Sequence, residues 1–185
     1  DKAQTTETEE TSSSVVVQIL ADVEAEMDSQ LGEVPEKSAG EKVGILISST
    51  SNEFWATMKT RYEEAAADAD LDIEVYEASA EDDAEGQLDA LNTMVSMDFD
   101  VILLSPINGT NLIPGIVAAN EKGIKVINLG PGVDEAALEE AGGHLDAKIT
   151  VNFEDQGKMV AEDIVKRLDG KGQVAILEGM AGAAQ

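Results

Sequence analysis

Val43-Gly44-Ile45-Leu46-Ile47-Ser48-Ser49-Thr50-Ser51-Asn52-Glu53-Phe54-Trp55 is the stretch whose reading decides the fold. Five residues, four of them large and apolar, run without polar alternation into small hydroxyl side chains. This pattern predicts a strand buried on both faces that opens into a loop and a helix start. Such a strand belongs in a parallel sheet covered by helices. Beyond its carboxyl end, Ser48, Ser49, Ser51 and Asn52 can all hydrogen-bond, and two adjacent rings follow, Phe54 and Trp55. Polar groups beside aromatic faces suit a small polyhydroxylated ligand.

Downstream, strand and helix patterns alternate. Met58, Tyr62, Ala65, Ala66 and Ala69 share a helical face, and a strand is predicted over 71–76. A helix over 81–97 turns Leu88, Leu91 and Val95 inward, and a second buried strand covers 100–104. The loop over 105–110 carries Pro106 and Gly109. A helix near 111–122 holds Pro114 in its first turn, where proline is tolerated. A strand over 125–129, a sharp Gly130-Pro131-Gly132 loop, a short helix over 135–141 and a strand near 147–151 complete the series. The spacing fits right-handed crossovers, so the expected class is α/β with a doubly wound parallel sheet. In the common order 2-1-3-4-5 the strands at Val43 and Val101 flank the point where the winding reverses. That places a ligand between 48–55 and 105–110.

On the amino-terminal side, residues 1–14 are rich in Thr, Glu and Ser and read as a flexible tail. From 15 to 31, Val16, Leu20, Val23, Met27 and Leu31 fall on one helical face, which docks on the body of the protein or pairs with another chain. Gly32 and Pro35 end that helix and 36–41 read as a linker. The expected division is therefore an acidic tail, helix and linker over 1–41, a ligand-binding lobe over 42–151, and the beginning of a second lobe over 152–185. In this last part Val160, Ile164 and Leu168 mark a helix, and 174–177 a strand. One helix and one strand cannot build a core, so the chain reads as truncated, proteolysed or split, with a missing segment or a second chain completing the lobe.

Composition removes several functions. Among 185 residues, 12 basic against 38 acidic side chains leave a net charge of −26, which repels nucleic acid and anionic headgroups. The absence of cysteine excludes thiolate catalysis, thiolate metal sites and disulfides. The single histidine, His144, lies in a glycine-rich loop and reads as an exposed residue. Gly130-Pro131-Gly132 lacks the third glycine of a dinucleotide fingerprint, and no Gly-x-x-x-x-Gly-Lys phosphate loop occurs. Neither an enzyme nor a cofactor is expected. Asn52 also suits helix capping alone, and Ser105 before Pro106 suits a turn. Neighbours on a helix point about 100° apart, so Phe54 and Trp55 cannot both face the sheet; the cleft is assigned to Trp55.

Ser-Thr-Ser-Asn-Glu-Phe-Trp over 49–55, Leu-Leu-Ser-Pro over 103–106, Lys-Val-Ile-Asn-Leu over 125–129 and Asn-Phe-Glu-Asp-Gln-Gly-Lys over 152–158 together resemble the ribose-binding type of periplasmic sugar-binding protein. Val-Ala-Ile-Leu-Glu-Gly-Met-Ala-Gly over 174–182 fits the same pattern. The resemblance runs from about residue 41 to the end and lies in the order and spacing of these pieces. It implies a two-lobed receptor that closes on a sugar or polyol and hands it to the permease of an ABC importer, periplasmic or extracellular and often lipid-anchored. It also implies first-lobe contacts at Asn52, Phe54 and Trp55, with Ser49 beside them and Ser105 where the family often has Asn. Val151 and Asn152 fall at the first crossover between lobes, and Met180 faces the site from the second lobe. The chain departs from the pattern at Gly130-Pro131, where many sugar binders place an Asp-Arg pair. A ligand-sensing module of a signalling system is the alternative with the same fold. A repressor effector domain is disfavoured because residues 1–40 are acidic and not a basic helix-turn-helix.

Overall fold

The computed structural model describes residues 39–177, with positions 17, 18, 21–23, 25–27, 29, 30 and 32. The chain divides into two units, Asp1–Lys37 and Ser38–Gln185. In the first, the described positions from 17 to 30 are helical, as the apolar period predicts, and Val23 and Met27 of the expected apolar face are exposed. Val16, Leu20 and Leu31 lie outside the described residues.

Among its described residues the second unit holds five strands and five helices in alternation: β1 (Lys42–Ile47), α1 (Glu53–Ala69), β2 (Asp72–Glu77), α2 (Ala84–Val95), β3 (Val101–Leu104), α3 (Ile113–Glu121), β4 (Lys125–Leu129), α4 (Glu135–Glu140), β5 (Ala147–Ile149) and α5 (Phe153–Arg167). The sheet is parallel throughout, in the order β2-β1-β3-β4-β5. β1 is therefore an interior strand, in register with β2 from Lys42↔Asp72 and with β3 from Val43↔Val101. Successive residues of β1 feed opposite faces, as the pleat requires. Val43, Ile45 and Ile47 join Trp55 beneath α1, whereas Leu46 joins Leu91, Met94, Ile102, Leu104, Ile116 and Val126 beneath α2 and α3. Gly44 falls on this second face, where an added Cβ would stand 2.6 Å from Met94 Cε and 3.3 Å from the Phe99 ring, so the Met94 side chain would have to shift.

Helix ends explain most differences from the predicted boundaries. Asp70 at φ 56° closes α1, and the Leu71 N–H is spent on Ala66 O, so β2 starts one residue later than expected. Asp83 caps α2 through its carboxylate and the Gly86 N–H at 2.9 Å, which delays this helix from 81 to 84. Its buried residues are Gln87, Leu91, Met94 and Val95; the expected Leu88 is only partly buried. β5 stops at Ile149 because its partner β4 ends opposite, at Leu129. The predicted strand over 174–177 does not form. Val174, Ile176 and Leu177 are exposed, and among the described residues no strand lies beside them to supply a ladder. α5 forms as predicted but contributes no buried residue. Among the described residues no helix is long and apolar enough to cross a membrane.

Asp146 fastens the β4–β5 edge, accepting from Val126 N–H at 2.8 Å and from Lys125 Nζ at 2.9 Å. Partial burial pushes its carboxyl upward, but the hydrogen bonds from Lys125 and Val126 and the charges of Lys125 and His144 outweigh this and hold it below its ordinary value. A depressed carboxylate adds stability that is complete above the unfolded-state value and is lost as pH falls through the folded one. Asp146→Asn is expected to lower stability at neutral pH by about 1 kcal/mol and to flatten the acid limb of the profile. Urea titrations from neutral pH down through the carboxylate range measure both; an unchanged acid limb would remove Asp146 from this role.

Candidate functional site

All five strands deliver their carboxyl ends to one edge, and there the loops are held by two buried amides. Gln87, fully buried, donates from Nε2 to Ile47 O at 3.2 Å and to Ser105 O at 2.9 Å. Its Oε1 accepts from Ile107 N–H at 3.0 Å and from Asn111 Nδ2 at 2.8 Å. Asn128, also fully buried, donates to Leu104 O at 3.2 Å and to Pro131 O at 2.8 Å, and accepts from Val133 N–H at 3.0 Å. The Ser105 hydroxyl adds a bond to Leu129 O at 2.8 Å. The loops after β1, β3 and β4 are thus tied together by side chains that saturate otherwise unpaired backbone groups. Glu77, at the end of β2, accepts from Thr50 N–H at 2.7 Å and so holds the β1 loop from the other side. Burial pushes the Glu77 carboxyl up, but the Thr50 bonds, helped by Lys59, bring it below its ordinary value.

Between these loops lies a cavity of about 430 Å³. Asn52, Phe54 and Trp55 line it from the β1 loop and α1, with Met58 and Tyr62 further along that helix. Ser105 lines it from β3, Leu129-Gly130-Pro131 from β4, Glu81 from the turn before α2, and Val151 with Phe153 from the segment after β5. Gly130 adopts φ 72° with nothing near its missing Cβ, so its glycine answers a backbone need and not a crowding one.

The structure brings together four of the seven residues singled out from the sequence. Asn52 serves both readings: its Oδ1 accepts from Phe54 N–H at 2.8 Å as the cap of α1, while its Nδ2 donates to Glu81 Oε1 at 2.7 Å on the cavity wall. Both rings line the cavity, as the site reading expects, but they are buried to different degrees. Trp55 is 8% exposed and packs with Val43, Ile45 and Ile47, although it also lines the cavity; Phe54, 60% exposed, is the open ring. The rings meet edge to face at 5.0 Å. The sheet claims the larger indole, and the 100° step carries its neighbour out. Ser105 is buried with its proton committed to Leu129. Ser49 is buried and shares a 3.0 Å bond with Ser51 inside its own turn, away from the cavity wall. Asn152 caps α5, accepting from Asp155 N–H at 3.1 Å, and does not line the cavity. Met180 lies outside the described residues.

The sequence reading missed Glu81, Gln87 and Asn128. For the two amides a signal existed: Gln87 stands four and seven places before Leu91 and Met94, and Asn128 two places after Val126 in an apolar strand, so each is a polar residue in a core register. Glu81 sits in an acidic run, Glu81-Asp82-Asp83, from which nothing distinguishes it. Among the described residues no cluster of acidic residues and histidine is placed to hold a metal.

A doubly wound parallel sheet with a cavity where the winding reverses is one lobe of a ligand-binding protein of the α/β type. Residues 43–185 match the family described as periplasmic binding protein domain, and the chain belongs to it. It is 29% identical over 147 residues to the D-allose-binding periplasmic protein of Escherichia coli K12, covering 79% of this chain and 47% of the relative. It is 26% identical to the D-ribose/D-allose-binding protein of Pseudomonas aeruginosa, with 80% and 46% covered. A crystal structure of an ABC transporter periplasmic solute-binding protein from Actinobacillus succinogenes 130z with bound D-allose superposes with a TM-score of 0.72 at 30% identity, over 77% of this chain and 50% of that one. The chain spans about half the length of the relatives it matches.

Replacing Gln87 by Leu keeps the volume but leaves four partners without their bonds. A loss of about 3 kcal/mol is expected, from several buried backbone groups left unpaired. Hydrogen exchange at Ile107 should accelerate beyond the change at β4, whereas uniform acceleration would show that Gln87 acts on the core and not on the loops.

Proposed function

We propose that this chain carries the first lobe of a solute-binding receptor for an ABC importer, taking a sugar or sugar-like polyol and passing it to a membrane permease. Residues 42–151 form that lobe, and 152–185 begin a second one, completed by a further segment or a second chain, which closes on the ligand about the crossover at Val151 and Asn152. Met180 then faces the ligand from the second side. The receptor works in the periplasm or outside the cell, with a lipid anchor as one means of retention.

The observation that carries this reading is the position and lining of the cavity. It opens at the carboxyl ends of β1, β3 and β4, with Asn52, Ser105 and Glu81 as hydrogen-bonding groups beside the Phe54 ring. Hydroxyl groups of a sugar match the former, and the C–H face of the ring matches the aromatic surface. The D-allose named for the relatives supports the same ligand class. Affinity comes from burying both faces, so closure of the second lobe supplies what an open half-cavity lacks.

Because Phe54 is exposed and Trp55 is core, the two substitutions separate binding from folding. Phe54→Ala is expected to weaken D-allose or D-ribose binding about ten-fold, as one stacking contact is worth roughly 1 kcal/mol or more, with an unchanged melting temperature. Trp55→Ala should cost about 3–5 kcal/mol of stability. Calorimetry with thermal melts checks both, and equal affinity in wild type and Phe54→Ala would overturn the stacking role. Pull-down with solubilised membrane components, a permease against a kinase or chemoreceptor, separates import from sensing.

A further inference from the structure

The cavity wall has a bias in charge and hydrogen bonding that narrows the ligand class, given the sugar-site reading above. Among the described residues, Glu81 is the one charged side chain on the wall. One of its oxygens accepts from Asn52 Nδ2, and the other has no hydrogen-bond partner among the described residues. No Lys or Arg lies within ion-pair distance of it among the described residues.

The groups around it are mostly acceptors. Ser105 has donated its proton to Leu129 O and offers a ligand lone pairs only. Gly130 has spent its N–H on Ile149 O, and Pro131 has none. Among the side chains of the wall, the donors left are the second Nδ2 hydrogen of Asn52 and the Tyr62 hydroxyl. On the same cavity wall, the exposed Phe54 ring gives a π-face of the kind that attracts cations.

We propose that this cavity selects sugars or polyols bearing a protonated amine over their neutral counterparts and turns away acidic sugars, with Glu81 as the discriminating residue. An ammonium group can meet a carboxylate oxygen and an aromatic face, and its three donors meet a wall whose side chains offer more acceptors than donors. A ligand carboxylate meets like charge and no cation. The net charge of −26 raises the local concentration of cations but cannot by itself choose an aminated sugar over another cation.

The test is a titration of the 15N-labelled protein by NMR at physiological salt and below neutral pH, with D-glucose, D-glucosamine and D-glucuronate, and with D-galactose and D-galactosamine as a second pair. The amino sugars are expected to shift the Asn52, Phe54 and Trp55 signals at concentrations about five-fold or more below their neutral partners, and glucuronate to leave them unmoved. Glu81→Gln keeps the acceptor for Asn52 and removes the charge, so it should abolish the preference for the aminated member within each pair. Equal affinities within each pair, or a preference that survives Glu81→Gln, would overturn the inference and leave the sugar site standing. If no sugar moves the cavity signals, the sugar-site reading falls with it.

Discussion

The site depends on two primary amides with no access to solvent. A parallel sheet ends every strand at the same edge, and each ending leaves carbonyl and N–H groups that the ladder no longer pairs. Here Ile47 O, Leu104 O, Ser105 O and Pro131 O are taken by Gln87 and Asn128, which also receive Ile107 N–H and Val133 N–H. An amide is the one neutral side chain that donates and accepts in a planar fork, so two of them can tie three loops without burying a charge. Such a junction is saturated: loss of one member strands several backbone groups at once. That stiffness holds the cavity-lining residues at fixed separations and makes the edge a preformed half-site.

The same economy explains what the sequence shows and hides. The alternation was legible from the buried runs at 43–47, 101–104 and 125–129 and the crossovers between them, and the order 2-1-3-4-5 is the common one for five such strands. Capping was legible at Asn52, whose residue type and position before a helix coincide. Ring orientation was not, because both rings begin one helix and the larger was assigned to the ligand, when burial favours the larger ring for the core. Glu81 was hidden for a different reason. An acidic run is ambiguous in one dimension, and only the turn that brings it opposite Asn52, 29 residues away in sequence, gives it a role.

α1 to α4 and α5 show two ways of specifying a helix. The first four each place residues in a core, such as Ala66, Leu91, Ile116 and Leu138. α5 buries none, and its definition is local: Asn152 caps it, Glu154 and Asp155 stand in the first turn, and Lys166 and Arg167 in the last. Each group complements the helix dipole at its own end, and Asp163 pairs with Arg167 one turn apart. These terms are worth tenths of a kcal/mol to about one each, enough to make the element readable from sequence. The strand predicted at 174–177 had no such local support. A strand is defined by a neighbour, and its apolar residues alone could not supply one.

The cavity inherits its chemistry from how that edge is satisfied. Loops pinned through their carbonyls and N–H groups have little left to offer a ligand from the backbone, so recognition passes to the few side chains the pinning does not consume. Ser105 is half consumed, since its proton closes the β3–β4 junction. Asn52 is mostly consumed, between the α1 cap and Glu81. What remains among the side chains is mostly acceptor capacity, including one unpaired carboxylate oxygen, with two donors at Asn52 and Tyr62 and an exposed ring at Phe54. The excess of acceptors is thus a consequence of the fold's own hydrogen bonding: donors are spent on stabilising the loops, and the ligand must bring its own.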